Sequence, residues 1–355
     1  MTTPSRTWVE VDLGAVRENA RTVLAHAKGA RLLPMVKANA YGLGAVEVAK
    51  ALELLDPHGF GVATAEEGAE LRGAGIRRPI IVFSPVTAAL PVAAEHDLIP
   101  ALGGVTHVRA WRALAEGKPF HVQVDTGIGR AGIWWQAFAE NAREFQDAPG
   151  FEGVFTHFHS AEDDNPASVR EQWGRFQEAV RPLPRRPRLV HAANSGAALN
   201  HPETAADLVR PGIFLYGGRV GDAVPRPVVS WRARVFEVGW REAGATVSYG
   251  ATFTVKGRMS IATIAAGYAD GMHRTLSNVG KVLVEGRRVG IAGRVTMDMT
   301  VVWASDWAPA EGGVATIIGR DGDEEITLNE HARMAGTIPH EVLTALGRRV
   351  VRLYR

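Results

Sequence analysis

The sequence contains no cysteine. That excludes disulfides, thiolate-ligated zinc and a thiol nucleophile. Charge of either sign is not in excess: 40 lysines and arginines against 38 aspartates and glutamates leave +2 at pH 7 over 355 residues. Such a balance makes no field strong enough to gather nucleic acid or an anionic membrane. No basic run with interleaved aromatics occurs, and no stretch approaches the ~18 consecutive apolar residues of a membrane span. The opening Met1-Thr2-Thr3-Pro4-Ser5-Arg6-Thr7-Trp8 lacks the apolar core of a signal peptide. No nucleic acid, no membrane and a cytoplasmic location are the expectations. What is present is ordinary globular material, 46% hydrophobic and 22% charged, with length for two domains.

The densest signal is Leu32-Leu33-Pro34-Met35-Val36-Lys37-Ala38-Asn39-Ala40-Tyr41-Gly42-Leu43-Gly44. An apolar run suited to a buried strand ends in a lysine, and residues 45–55 then read as an amphipathic helix. A lysine at a strand's C-terminal end, in an α/β architecture, stands where such folds build active sites. Desolvation there lowers its pKa and makes it an amine nucleophile or Schiff-base former. The plain alternative is a lysine snorkelling out of a strand end.

Upstream, Thr7 to Leu13 alternates like a strand, and residues 13–28 run at helical spacing behind Asp12 as cap. After Lys37 the strand-then-helix pattern recurs: 59–63 with 65–72, 79–83 with 87–96, 98–102 with 105–115, and 120–125 with 134–145. Then come 153–157 with 167–180, 188–192 with a short helix from Ser195, and 208–210 with 213–216. Eight such units in about 220 residues predict a closed (β/α)8 TIM-type barrel, with a doubly wound open sheet as the alternative. From Val228 the texture changes to strands at 228–238, 259–265, 280–284, 300–303 and 314–318, with helices only at 327–335 and 339–346. The expectation is a barrel over 1–225, whose first ten or so residues can pack with the second domain, and a mostly antiparallel, barrel-like β domain over 226–355.

Strand-end polar groups of a barrel converge on one mouth. Here they are Lys37, Tyr41, Arg130, His157, His191, Asn194, Ser195, Arg210 and Gly212, an anion-binding, cofactor-sized set. Three features invite other readings. Gly127-Ile128-Gly129-Arg130-Ala131-Gly132 matches the dinucleotide fingerprint and reads as following a strand and opening a helix, with Glu152 at the acidic spacing. His157-Phe158-His159 with Glu162, Asp163 and Asp164 has the residue types of a metal site, although a strand end followed by a solvated acidic loop is the simpler reading, and no metal is expected. Asp321-Gly322-Asp323-Glu324-Glu325 is too short for a calcium loop and reads as a turn. Trp111, Trp134, Trp135 and Trp173 fall in helical patterns as packing residues.

The Lys37 stretch resembles the pyridoxal-phosphate lysine signature of the alanine racemase family (fold type III). So, in order, do His191-Ala192-Ala193-Asn194-Ser195, Val209 to Gly217, Val247 to Phe253, Ala266-Gly267-Tyr268-Ala269-Asp270-Gly271, Gly293-Arg294-Val295-Thr296-Met297-Asp298, Ile338 to Leu343 and Arg348 to Tyr354. The resemblance implies a homodimeric, PLP-dependent isomerase interconverting L- and D-alanine and feeding D-alanine to bacterial peptidoglycan. Its catalytic pair would be Lys37, which carries the cofactor and is a base on one face, and Tyr268, a base on the other face reaching in from a second subunit. It implies Arg210 facing the pyridine nitrogen, His191 tied to Arg210, and His157 and Asn194 beside the cofactor. Tyr41, Ser195, Gly212, Ile213 and Tyr354 would cradle the phosphate, and Arg130, Met297 and Asp298 would hold the substrate.

Three positions depart from that pattern: Gln123 replaces a carbamylatable lysine that braces the substrate arginine, Thr296 a cysteine, and His159-Ser160 a smaller pair. Thr296 makes a broader amino-acid racemase, for serine among others, the first alternative. A PLP decarboxylase would need a cysteine the chain lacks, and a PLP-homeostasis protein would lack the second domain.

Overall fold

The structure, a computed structural model, describes residues 6–27, 29–83, 85–162 and 165–355. The expected helix end at Lys28, residues Met1 to Ser5 of the opening stretch, and Asp163 and Asp164 of the acidic loop lie outside them. The chain divides into two compact units: Val16–Leu215 with Arg219–Pro225, and Met1–Ala15 with Tyr216–Gly218 and Arg226–Arg355.

In the first unit eight parallel strands form one ladder: β1 (Arg31–Leu32), β2 (Phe60–Val62), β3 (Ile80–Val82), β4 (Ile99–Leu102), β5 (Phe120–Asp125), β6 (Phe151–Phe155), β7 (Leu189–His191) and β8 (Leu208–Val209). Each is paired to its sequence neighbour, and β8 returns to β1. A parallel bridge between Met35 and Gly61 joins β1's continuation to β2 and closes the ring. The strands are short, apolar and buried, as a sheet covered on both faces requires. Leu33, Ile81, Ile99, Ala101, Phe155, Leu189 and Leu208 make its core cluster, with Phe83 packed against it.

Several element bounds differ from the sequence pattern. The regular ladder at β1 stops at Leu32 because Pro34 has no N–H, yet Leu33, Met35 and Val36 still donate to Val209, Pro211 and Gly61 carbonyls at 2.8–2.9 Å. The single helix expected at 134–145 is a strand pair Ile133–Trp134, a 3-10 turn Trp135–Ala137 and a helix Phe138–Ala142. Trp134 is consequently 46% exposed, whereas Trp111 is fully buried. Helix Ala167–Val180 falls where its periodicity placed it.

In the second unit the strand Val229–Arg241 is the spine. It pairs antiparallel with Thr7–Val11, Met259–Ile264 and Val314–Asp321. Lys281–Val284, Arg287–Ile291 and Thr300–Ala304 complete a closed antiparallel ring, and Val351–Tyr354 adds one parallel edge to Thr7–Val11. The hairpin at Glu285-Gly286 has both residues at positive φ, 49° and 72°, the two-residue turn that matches strand twist. Arg287–Ile291 escaped the pattern reading because two leading arginines hide its alternation. Those arginines have work to do: Arg288 is ion-paired to Glu330 and Glu324. Trp231 is fully buried and donates its Nε1–H to Thr7 Oγ1 at 2.9 Å. Trp231→Ala is expected to cost about 3–5 kcal/mol, read as a fall in the denaturant midpoint of the transition that reports this unit.

Candidate active site

Lys37 opens a backbone feature that hydropathy does not announce. Ala38, Asn39, Ala40 and Tyr41 all lie at positive φ, 51°, 54°, 51° and 56°, forming one left-handed turn before Gly42. Each such residue costs about 1–2 kcal/mol without glycine, so neighbours must hold it. Glu67 does much of this: its carboxylate accepts from Ala38 N at 2.6 Å and Ala63 N at 2.8 Å. The same carboxylate closes a capping box with Thr64 at the start of helix Ala65–Gly73. Asn39 Oδ1 accepts from Ala45 N at 2.8 Å and ties the turn to the next helix. Burial, the positive charge of Arg130 and that of Arg210 all lower the Lys37 pKa, against an opposing pull from Glu67.

Arg210 ends β8 with only 3% of its surface exposed. Its Nη1 lies 2.8 Å from His191 Nδ1, and its Nη2 donates to the carbonyls of Thr156 at 2.8 Å and Ala192 at 3.0 Å, with His157 Nδ1 at 3.3 Å. The guanidinium also sits over the rings of Phe83 and Phe155, 5.6 and 5.5 Å from their centroids. Burial pulls its pKa down to about 9, so it stays a cation near neutrality. His157 is pushed down to about 3 by burial and by Arg210, Arg130 and Lys37. A neutral imidazole among three cations is the outcome.

Tyr41, Ser195 and Gly212 meet at the other side of the mouth. Ser195 Oγ accepts from Gly212 N at 2.9 Å. A Cβ on Gly212 would stand 2.2 Å from the Tyr41 hydroxyl, so only glycine fits there. Burial pushes the phenol of Tyr41 up to about 12, keeping it a neutral donor. Asn194 caps helix Ser195–Asn200 by accepting from Ala197 N at 2.9 Å, and Ile213 begins a buried 3-10 turn.

The glycine-rich loop after β5 is not a dinucleotide turn. It runs into strand Ile133–Trp134 and opens no helix, and Asp125 Oδ1 already accepts from the amides of Gly127 at 2.9 Å and Gly129 at 3.2 Å. The nicotinamide reading fails on that geometry. Arg130 is exposed at the loop's tip, and Gln123 is buried on β5.

In the second unit Tyr268 and Met297 belong to two loops bonded to each other. Tyr268 N donates to Thr296 O at 2.9 Å and Ala269 N to Met297 O at 3.0 Å. Gly267 touches both carbonyls so closely that a Cβ would lie 2.4 Å away. Arg349 fastens the pair, reaching the fully buried Asp270 at 2.6 Å and Asp298 at 2.7 Å. Tyr268 is 45% and Met297 53% exposed. The Thr296 hydroxyl is spent locally on Met299 O at 2.9 Å. Tyr354 closes the edge strand opposite Val11.

The family model for the alanine racemase N-terminal domain matches residues 11–220, and that for its C-terminal domain matches 228–354. The chain belongs to the alanine racemase family. An alanine racemase of Symbiobacterium thermophilum is 41% identical over 98% of this chain and 97% of its own length. The crystal structure of alanine racemase from D-cycloserine-producing Streptomyces lavendulae superposes with a TM-score of 0.94 at 35% identity, over 100% of this chain and 98% of that one. The alanine racemase of Bartonella henselae with covalently bound pyridoxal phosphate gives 0.92 at 32% identity, over 99% and 100%. The alanine racemase fold, a parallel barrel followed by an antiparallel β domain, is thus the fold of this chain.

Within that fold Lys37, Arg130, His157, His191 and Arg210 share one electrostatic neighbourhood, and Tyr41, Ser195 and Gly212 share another. Tyr268, Met297, Asp298 and Tyr354 form surface loops and an edge of the second unit. Sequence reading missed Glu67, Asp270 and Arg349. Glu67 was signalled by the Thr64-x-x-Glu67 capping pattern; the other two stand in stretches that resemble the family, but nothing local shows that they pair across 79 positions. Acylation of Lys37 is expected to reach half-rate below the pH of an ordinary exposed lysine. Glu67→Gln removes the raising carboxylate and should move that point lower still, as followed by peptide mass analysis across a pH series.

Proposed function

We propose that this chain interconverts L- and D-alanine with pyridoxal 5′-phosphate, using Lys37 and Tyr268 as opposed bases. The observation that carries the reading is the barrel mouth itself: a lysine amine desolvated and under the positive charge of Arg130 and Arg210, beside a glycine cradle under two hydroxyls. Those residues fit the cofactor. Lys37 would hold its carbonyl carbon, Tyr41, Ser195, Gly212 and Ile213 its phosphate with Tyr354, and Arg210 its ring nitrogen, with His157, His191 and Asn194 around it. When bound, pyridoxal phosphate supplies an electron-withdrawing ring that acidifies the Cα–H bond of an amino acid.

Arg210 is donor-only and stays charged, so it does not surrender a proton to a ring nitrogen, and the electron sink stays weak. That favours returning the proton to Cα over side reactions. Lys37, with its lowered pKa, can take or return a proton on one face. Inversion needs a second base on the opposite face, and the exposed Tyr268 is that base if a second copy of the chain presents it. A homodimer is therefore part of the proposal, as is placement in the cytoplasm, where D-alanine is made for peptidoglycan. Arg130, Met297 and Asp298 would bind the substrate carboxylate and frame its side chain.

The decisive test is Cα exchange of L-alanine in heavy water with the enantiomer ratio followed alongside. Exchange with drift to a racemate on alanine is expected. Equal rates on serine or basic amino acids would shift the reading to a broad-spectrum racemase, and no exchange on any substrate would end it. Lys37→Ala should abolish the bound-cofactor absorbance. Tyr268→Phe should keep that absorbance and lose turnover by at least 100-fold, most severely from one enantiomer.

A further inference from the structure

The interior of a parallel barrel is normally filled with branched apolar side chains. Here a file of polar groups descends from the mouth toward the N-terminal rim. Arg210 Nη1 lies 2.8 Å from His191 Nδ1, and His191 Nε2 lies 2.8 Å from His121 Nδ1. His121 Nε2 in turn faces Glu152 Oε2 at 3.5 Å, and the other carboxylate oxygen of Glu152 meets Arg188 at 3.0 Å. His121 and His191 have no exposed surface. The file is built in. A Cβ on Gly153, directly across from His121 in the β5–β6 register, would stand 2.6 Å from the imidazole. Phe155 stacks flat on His191, with 4.9 Å between centroids and 2° between planes.

A guanidinium has only N–H donors. His191 Nδ1 must therefore accept, which places the proton of a neutral His191 on Nε2. That nitrogen donates to His121 Nδ1, which places the second proton on His121 Nε2, pointing at the carboxylate. Burial holds both imidazoles neutral.

We propose that His121 and Glu152 are positioning residues for Arg210: the carboxylate at the bottom of the barrel fixes one direction of donation through His121 and His191, and so fixes the tautomer that receives the guanidinium. The structural part concerns this chain alone. Its consequence for a bound cofactor rests on the reading of Arg210 given above.

The test has two arms. Histidine-selective 15N NMR of the cofactor-free protein, with His121→Phe and His191→Phe used for assignment, should show both residues protonated at Nε2 and bare at Nδ1. A proton on Nδ1 of either would overturn the proposal, whether or not the protein binds pyridoxal phosphate. In the loaded protein, Glu152→Met deletes the terminal carboxylate that His121 Nε2 faces at 3.5 Å, whereas Glu152→Gln keeps a carbonyl there. The Met variant should shift the bound-cofactor absorption band and weaken cofactor binding on the order of tenfold, the usual scale for an outer support. The Gln variant should restore most of both, and Arg188→Met, which touches only the far side of Glu152, should change neither. Wild-type band and affinity in Glu152→Met would also overturn it. Failure of the wild-type protein to bind pyridoxal phosphate would defeat the proposed function and leave the tautomer arm to decide this one.

Discussion

Everything at the barrel mouth is arranged around a buried guanidinium. Arg210 follows a strand and has no carboxylate among its direct partners within the described residues; it is satisfied instead by two carbonyls, two imidazoles and two aromatic faces. Burying an ion without a counter-ion is costly unless its donors are all met, and these partners come from strands β3, β6 and β7 and the segments that follow them. Its field then reaches outward. After burial, which is the larger cause for both groups, it helps lower the pKa of Lys37 and keep His157 neutral. One interaction set therefore keeps a cation at the mouth and favours the unprotonated form of the Lys37 amine.

The second constraint is strain beside Lys37. Four residues in the left-handed region, none of them glycine, are held by Glu67 and Asn39, which satisfy amides around them, and by the turn's own backbone bonds. Strain kept at such a site shapes it before any ligand arrives. The loops carrying Tyr268 and Met297 are prepared by a different device, the Arg349 bridge to Asp270 and Asp298. Lys37, Tyr268 and Met297 are each exposed or half-exposed, while the groups that fix their backbones are hydrogen-bonded in place.

Much of the fold was legible because its signals are periodic. Alternation of apolar strands with amphipathic helices defines a parallel barrel, and the change of period after residue 225 marks where strands begin to follow one another directly. Long helices such as Ala167–Val180 obeyed the pattern. The failures have specific causes. Pro34 cut the ladder at β1, the segment from Ile133 traded one helix for three short elements, and two arginines masked the strand Arg287–Ile291. The glycine fingerprint misled because spacing alone does not say whether the amides are free; Asp125 had already taken them.

By itself the sequence determined the residue types and their order: a lysine after the first barrel strand, arginine and glycine after the last, and a tyrosine loop in the second domain. It also determined what is impossible, since no thiol exists to act or to bind metal. Tertiary structure decided which groups share a dielectric environment. The lowered pKa of Lys37 depends on burial and on arginines far along the chain, and the His191–His121 file that meets Arg210 joins residues 19 and 70 positions apart. Electrostatic interaction scales with distance and local dielectric, not with separation along the chain.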